Sequence, residues 1–107
     1  MTSEERAAAN EATARNVNEA IERGQWPGEQ DERQAFRCEC SSSECNQLLD
    51  VTPRSYEEVR RNPRRFLLVP GHEREDIEFV VERAERYLVV EKRDHAAEVA
   101  EATDPRR

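Results

Sequence analysis

The chain has 107 residues; 38% are charged, 36% fall in the hydrophobic class, and 17 Lys and Arg face 24 Asp and Glu, a formal charge of −7. That length holds one domain and excludes a large two-substrate enzyme fold. No run approaches the ~18 apolar residues of a membrane helix, and the acidic opening Met1-Thr2-Ser3-Glu4-Glu5 lacks the basic and then apolar start of a secretory signal, so a cytoplasmic location is expected.

Aromatic residues make up 6% of the chain. Small domains with thin cores usually depend on a staple. Cys38, Cys40 and Cys45 are an odd number in a chain expected to be cytosolic. This argues against a disulfide framework and for a metal or redox site. Residues 1–34 hold 4 bases and 8 acids, 35–71 hold 6 and 5, and 72–107 hold 7 and 11. A duplex-binding protein usually shows a strong basic surplus, so nucleic acid is not the expected partner.

Residues 3–23 read as a helix. Thr2 and Glu5 fit a capping box, alanines fill the interior, Glu11–Arg15 and Glu19–Arg23 have the favoured i,i+4 order, and Gly24 fits the residue that ends it. Only Val17 and Ile21 are large and apolar, with Asn10 and Ala14 on the same thin stripe. The helix therefore reads as an arm packed weakly on the core, with Trp26 as an anchor, or as a docking helix for a protein partner. Residues 24–34 carry Pro27, Gly28 and several acids, the composition of a linker.

Residues 35–93 are the expected zinc-binding α+β domain. Residues 35–38 and 48–51 read as strands flanking the cysteines. Thr52-Pro53 reads as an N-cap with proline in the first turn, opening a short helix over 53–61 with Tyr56 and Val59 inward, and Asn62-Pro63 stops it. The apolar run Phe66 to Val69 fits a strand buried on both faces, followed by a Pro70-Gly71 turn. Residues 77–92 fit a helical face and also strict alternation; their β-branched and aromatic bias favours two strands turning near Arg83–Arg86. The tail 94–107 is read as flexible or weakly helical over 95–102. The expected architecture is an α+β fold: an N-terminal helical arm and acidic linker (1–34), then a small zinc-stabilised domain with a mainly antiparallel sheet and one short helix.

The chemistry concentrates in Cys38-x-Cys40-x4-Cys45 and His72. Three thiolates and an imidazole form a closed tetrahedral set for structural Zn²⁺, and soft sulfur ligands select zinc over Mg²⁺ or Ca²⁺. The Ser41-Ser42-Ser43-Glu44 turn offers N–H groups to the sulfurs, and Glu73 is placed to support His72. His95, in the tail, is the weaker fourth ligand. Thiol redox chemistry at the same cysteines and an unligated cluster remain alternatives. No catalytic residues are assigned: the chain has no glycine-rich phosphate loop, no H-E-x-x-H and no G-x-S-x-G. Arg54, Arg60, Arg61, Arg64 and Arg65 crowd around Tyr56. They pair with the chain's own acids, or Arg60, Arg61, Arg64 and Arg65 form a surface for an acidic protein or, as a third reading, for phosphate or single-stranded nucleic acid. The oligomeric state is left open.

Phe36-Arg37-Cys38-Glu39-Cys40, Cys45, Tyr56-Glu57-Glu58-Val59-Arg60, Pro63, Phe66, Pro70-Gly71-His72-Glu73 and Tyr87-Leu88-Val89-Val90-Glu91-Lys92 resemble a group of small bacterial proteins, mostly actinobacterial. Asn10-Glu11-Ala12, Arg15, Val17-Asn18-Glu19 and Ile21 resemble that group's N-terminal helix. The resemblance spans residues 8–93. It implies that the three cysteines and His72 act as a unit, and it implies no activity.

Overall fold

Thr2 starts the first helix: its hydroxyl accepts the Glu5 N–H at 3.0 Å, satisfying a donor that an uncapped helix leaves orphaned. The computed structural model describes residues 2–24 and 28–106. In chain order they form α1 (Ser3–Arg23), β1 (Gln34–Arg37), β2 (Leu48–Val51), α2 (Pro53–Arg60), β3 (Arg65–Leu68), β4 (Glu78–Arg83), β5 (Leu88–Lys92) and α3 (Asp94–Ala102). This is an α+β fold with an N-terminal helix, antiparallel sheets and short helices. Trp26 lies outside the described residues.

Two antiparallel sheets replace the single one expected. β1 and β2 form a hairpin with Phe36 opposite Leu49. β3, β5 and β4 form the second sheet, with β5 in the middle. The stretch 77–92 is thus two strands. Ala84 N–H donates to the Tyr87 carbonyl at 2.9 Å to close their turn, and a register shift follows Val80.

Strand β3 divides the core. Phe66 and Leu68 face one cluster with Cys38, Cys40, Val90 and Ala100. Leu67 faces the other, with Phe36, Leu49, Val51 and Tyr56. Residues two apart on a strand share a face, which is why an unbroken apolar run reads as a strand buried twice over. The Phe36 and Tyr56 rings stack at 4.7 Å and tie α2 to the hairpin.

Helix α1 departs from expectation. Its buried face is Ala7, Glu11, Ala14, Arg15, Asn18 and Glu19, spaced as one helical stripe but mostly polar. Val17 and Ile21 are only half-buried. The expected intrahelical ion pairs are not the ones the fold uses. Glu11 and Glu78 both bind the Lys92 ammonium, and all three are buried. Glu19 binds Arg60 at 2.7 Å and Arg106 at 2.9 Å. Arg15 lies 4.5 Å over the Phe66 ring and donates to the Pro63 and Ala100 carbonyls, each at 2.8 Å. The helix is bolted on by charge-assisted hydrogen bonds, so a search for apolar periodicity underestimates its packing. Gly24 ends it with φ −81, a right-handed conformation, so the left-handed glycine cap is not what stops this helix.

Candidate metal centre

After Arg37 the chain stays extended. Cys38 N–H donates to the Gln47 carbonyl at 3.1 Å, then Glu39 N–H to the Leu67 carbonyl at 2.7 Å. The backbone thereby passes from its own hairpin to the edge of β3. Side chains alternate along an extended segment, so Cys38 and Cys40 turn one way and Glu39 the other.

Cys45 returns through the serine knuckle, where its N–H donates to the Ser42 carbonyl at 3.3 Å. Asn10 of α1 donates to the Ser41 carbonyl at 2.8 Å, and Arg37 to the Cys45 carbonyl at 3.1 Å. His72 arrives from a tight turn beyond β3. Its N–H donates to the Val69 carbonyl at 3.0 Å, and Gly71 has φ +95. A proline followed by a residue with positive φ is the type II pattern, and glycine meets that φ without strain.

The Sγ atoms of Cys38, Cys40 and Cys45 and one ring nitrogen of His72 all lie within 4.8 Å of one another. Nδ1 of His72 is 3.6 Å from Cys38 Sγ and 3.6 Å from Cys45 Sγ. A tetrahedral zinc ion, with bonds of about 2.3 Å to sulfur and about 2.0 Å to nitrogen, holds such ligands about 3.5 Å apart. The cluster is a possible metal site in which two donor pairs already stand at nearly that separation.

The surroundings suit thiolates. Val69 N–H donates to Cys38 Sγ at 3.2 Å, and Ser42 N–H bonds to Cys40. The thiols of Cys38 and Cys40 are hydrogen-bonded to each other. The hydrogen bond from Cys38 holds the Cys40 thiol down to about 4, while that bond, and then burial, push the Cys38 thiol up. Gln47 places its amide 3.5 Å from Nε2 of His72. Glu73, expected beside the ring, instead accepts the Gly71 N–H at 2.7 Å and braces the turn.

Behind the cysteines lies a carboxylate that the sequence reading passed over. Glu39 is 0% exposed. It accepts from Asn18 Nδ2 at 2.9 Å, Tyr56 Oη at 2.7 Å and Leu67 N–H at 2.8 Å. Burial pushes its carboxyl up, and these three donors oppose that push. Asn18 also grips Arg37 on both sides, accepting its N–H at 2.7 Å and donating to its carbonyl at 2.9 Å.

The arginine patch is largely spent inside the molecule. Arg60 is 3% exposed and bound to Glu19 and Asp104, so it offers nothing to a partner. Arg64 pairs with Glu101 and Arg65 with Glu91; Arg61 is exposed. His95 sits on α3 beside Glu98 at 3.4 Å and is not in the cysteine cluster. No described helix is long and apolar enough to cross a membrane. No protein-family model matches this chain, and neither does a curated protein or a solved structure.

Proposed function

We propose that Cys38, Cys40, Cys45 and His72 hold one structural zinc ion, and that the chain is a small non-enzymatic interaction or regulatory module stabilised by it. The observation that carries this reading is the convergence of four soft or borderline donors within 4.8 Å from three separate places: the extension of β1, the serine knuckle and the turn after β3. Three sulfurs select zinc over the hard divalent ions. Four protein ligands complete a tetrahedron and leave no open position for a substrate. Thiolate ligands persist in a reducing compartment, which supports a cytoplasmic location. Kinship with the small, mostly actinobacterial proteins of the same cysteine and Pro-Gly-His-Glu spacing belongs to this proposal.

The partner is a protein, met through the solvent side of α1 or through Arg61, Arg64 and Arg65. Arg6, Ala9, Thr13, Asn16 and Ala20 are exposed and share that side of the helix. Metal analysis tests the reading. Protein prepared under reducing conditions is expected to carry about one zinc per chain, with thiols slow towards a disulfide reagent until a chelator is added. Protein that stays metal-free in excess zinc, and reacts with the reagent at once, overturns it.

A further inference from the structure

We propose that Cys40 and Cys45 are a reversible oxidation site, and that the disulfide between them expels the metal. This rests on the zinc reading and adds its regulation.

The cluster has a closed side and an open side. Cys40, Ser41, Ser42, Glu44, Cys45 and His72 line a shallow depression open to solvent. Cys38 does not line it. It is 3% exposed and Cys40 5%, and both pack in the cluster with Phe66, Leu68 and Val90. A small oxidant therefore meets Cys45, the half-exposed one, first, and Cys40 is the buried cysteine that borders the same depression.

Backbone geometry selects the same pair. Cys38 and Cys40 flank one residue of an extended segment, so their Cα atoms stand about 6.6 Å apart, near the upper end of the range a disulfide spans. That segment is fixed through Gln47 on one side and Leu67 on the other. Bringing Cys38 and Cys40 together would pull Glu39 off its three buried donors. Cys45 sits instead at the end of a serine-rich turn with exposed Ser42, Ser43 and Glu44, and moving it towards Cys40 does not pull Glu39 off its donors.

The oxidant is a hydroperoxide. The Cys45 thiolate attacks the terminal peroxide oxygen and the O–O bond breaks. The product is a sulfenic acid, and the departing alkoxide or hydroxide takes a proton. The Cys40 thiolate then attacks the Cys45 sulfur. The S–O bond breaks, and hydroxide leaves and takes a second proton as water. Two thiolates have lost two electrons, and the peroxide has gained them. Only Cys38 and His72 remain as ligands, and the ion leaves.

The test treats zinc-loaded protein with hydrogen peroxide in the presence of a chromogenic chelator. Zinc is expected to appear in step with the loss of two of the three thiols. Cleavage of the denatured product after Glu39 and Glu44 separates the three cysteines, and mass spectrometry is expected to find the Cys40 peptide joined to the Cys45 peptide. Dithiothreitol and fresh zinc are expected to restore the site. A linkage through Cys38, zinc retained while the thiols disappear, or oxidation that thiol cannot reverse overturns the proposal. If the chain takes up no zinc, the zinc reading fails and metal release with it. The same peptide mapping on the metal-free chain still decides the Cys40–Cys45 pairing. A Cys38→Ser variant, where it folds, is expected to keep that linkage; the wild-type mapping does not depend on it.

Discussion

Replacing Asn18 with alanine removes the side chain that joins α1 to the segment bearing the cysteines. Asn18 is 0% exposed, and its loss strands three groups. The Arg37 N–H loses its acceptor at 2.7 Å, the Arg37 carbonyl loses its donor at 2.9 Å, and Glu39 loses one of three donors. A buried polar group left unpaired costs about 1–3 kcal/mol. The Arg37 backbone is only part-buried, so water recovers some of that cost. Asn18→Ala is expected to destabilise the zinc-loaded chain by about 3–5 kcal/mol, a large fraction of the ~5–15 kcal/mol typical of a folded domain. Tyr56→Phe removes another donor to the same Glu39 oxygen and should cost about 1.5–3 kcal/mol. Because both donors serve one oxygen, the double variant should depart from additivity by at least about 0.5 kcal/mol. Urea unfolding at fixed free zinc, followed by circular dichroism, measures all three. Asn16→Ala, two residues away and exposed, is the control and should stay within about 0.5 kcal/mol. A loss below about 1 kcal/mol for Asn18→Ala refutes the reasoning, because α1 would then be the loosely packed arm that its apolar residues suggest.

Removing zinc with a chelator should lower stability by about 4 kcal/mol relative to free zinc at about a thousand times its dissociation constant. That corresponds to a fall of about 15 °C or more in Tm for a chain of this size, read by thermal unfolding; an unchanged Tm counts against a structural ion. Lys92→Met leaves Glu11 and Glu78 buried without their shared cation and should cost about 3–5 kcal/mol in urea unfolding; restoring volume at all three positions with apolar residues should recover most of it. In the metal-free chain, Glu22 is pushed up to about 8 by burial and its hydrogen bond with Glu57, and Arg106 holds Glu57 down to about 2. The folded chain binds the Glu22 proton more tightly than the unfolded chain, so this group's contribution improves as pH falls from about 8 to about 4.5. Glu57 has the opposite sign, and its contribution is lost as pH falls below about 4.5 towards about 2. Glu22→Gln should therefore remove the upper limb of the pH profile of the urea midpoint and leave the lower one; an unchanged upper limb contradicts the assignment.

What the sequence discloses follows from how local each signal is. Thr52 caps α2 by accepting the Ser55 N–H at 3.1 Å, and the Pro70-Gly71 turn forms with the positive φ that its glycine invites. Both need only neighbouring residues. The alternation of Phe79 with Val81 and the β-branched run at Val89-Val90 are likewise enough to set β4 and β5. Three closely spaced cysteines and a histidine after a turn name themselves as one group, because few other roles gather those side chains. The buried face of α1 gives no such signal. Glu11, Arg15, Asn18 and Glu19 have the spacing of a core-facing stripe, but hydropathy assigns them to water. Their partners (Lys92, the Ala100 carbonyl, Arg37 and Arg60) lie far along the chain or belong to the backbone. The same holds for the arginines: a run of cations looks like a surface until Arg60 is found between Glu19 and Asp104. The tail gave too little apolar pattern to settle its state, and Ala97 and Ala100 of α3 are small residues whose burial depends on what they meet.

The x of the C-x-C motif is where the two halves of the molecule meet. An extended backbone sends consecutive side chains in opposite directions, so placing two sulfurs on one side obliges residue 39 to face the other. There it meets α1, α2 and β3 together. An apolar residue would fill that space but leave the Leu67 N–H and the Tyr56 hydroxyl unpaired. A carboxylate satisfies both and also takes Asn18. The hydrogen-bonded carboxylate fixes Cys38 and Cys40 from behind, and the proposed ion would fix them again from in front. A one-residue slip of this segment would swap the two and lose both sets of bonds. On the zinc reading, metal affinity and core stability should be coupled through that segment. Asn18→Ala and Tyr56→Phe, neither of which touches the ligands, should therefore weaken zinc binding, and by more than an exposed substitution such as Asn16→Ala. Competition with a calibrated chelator measures this directly, and equal zinc affinity in all three variants would show that the two sides of the strand act independently.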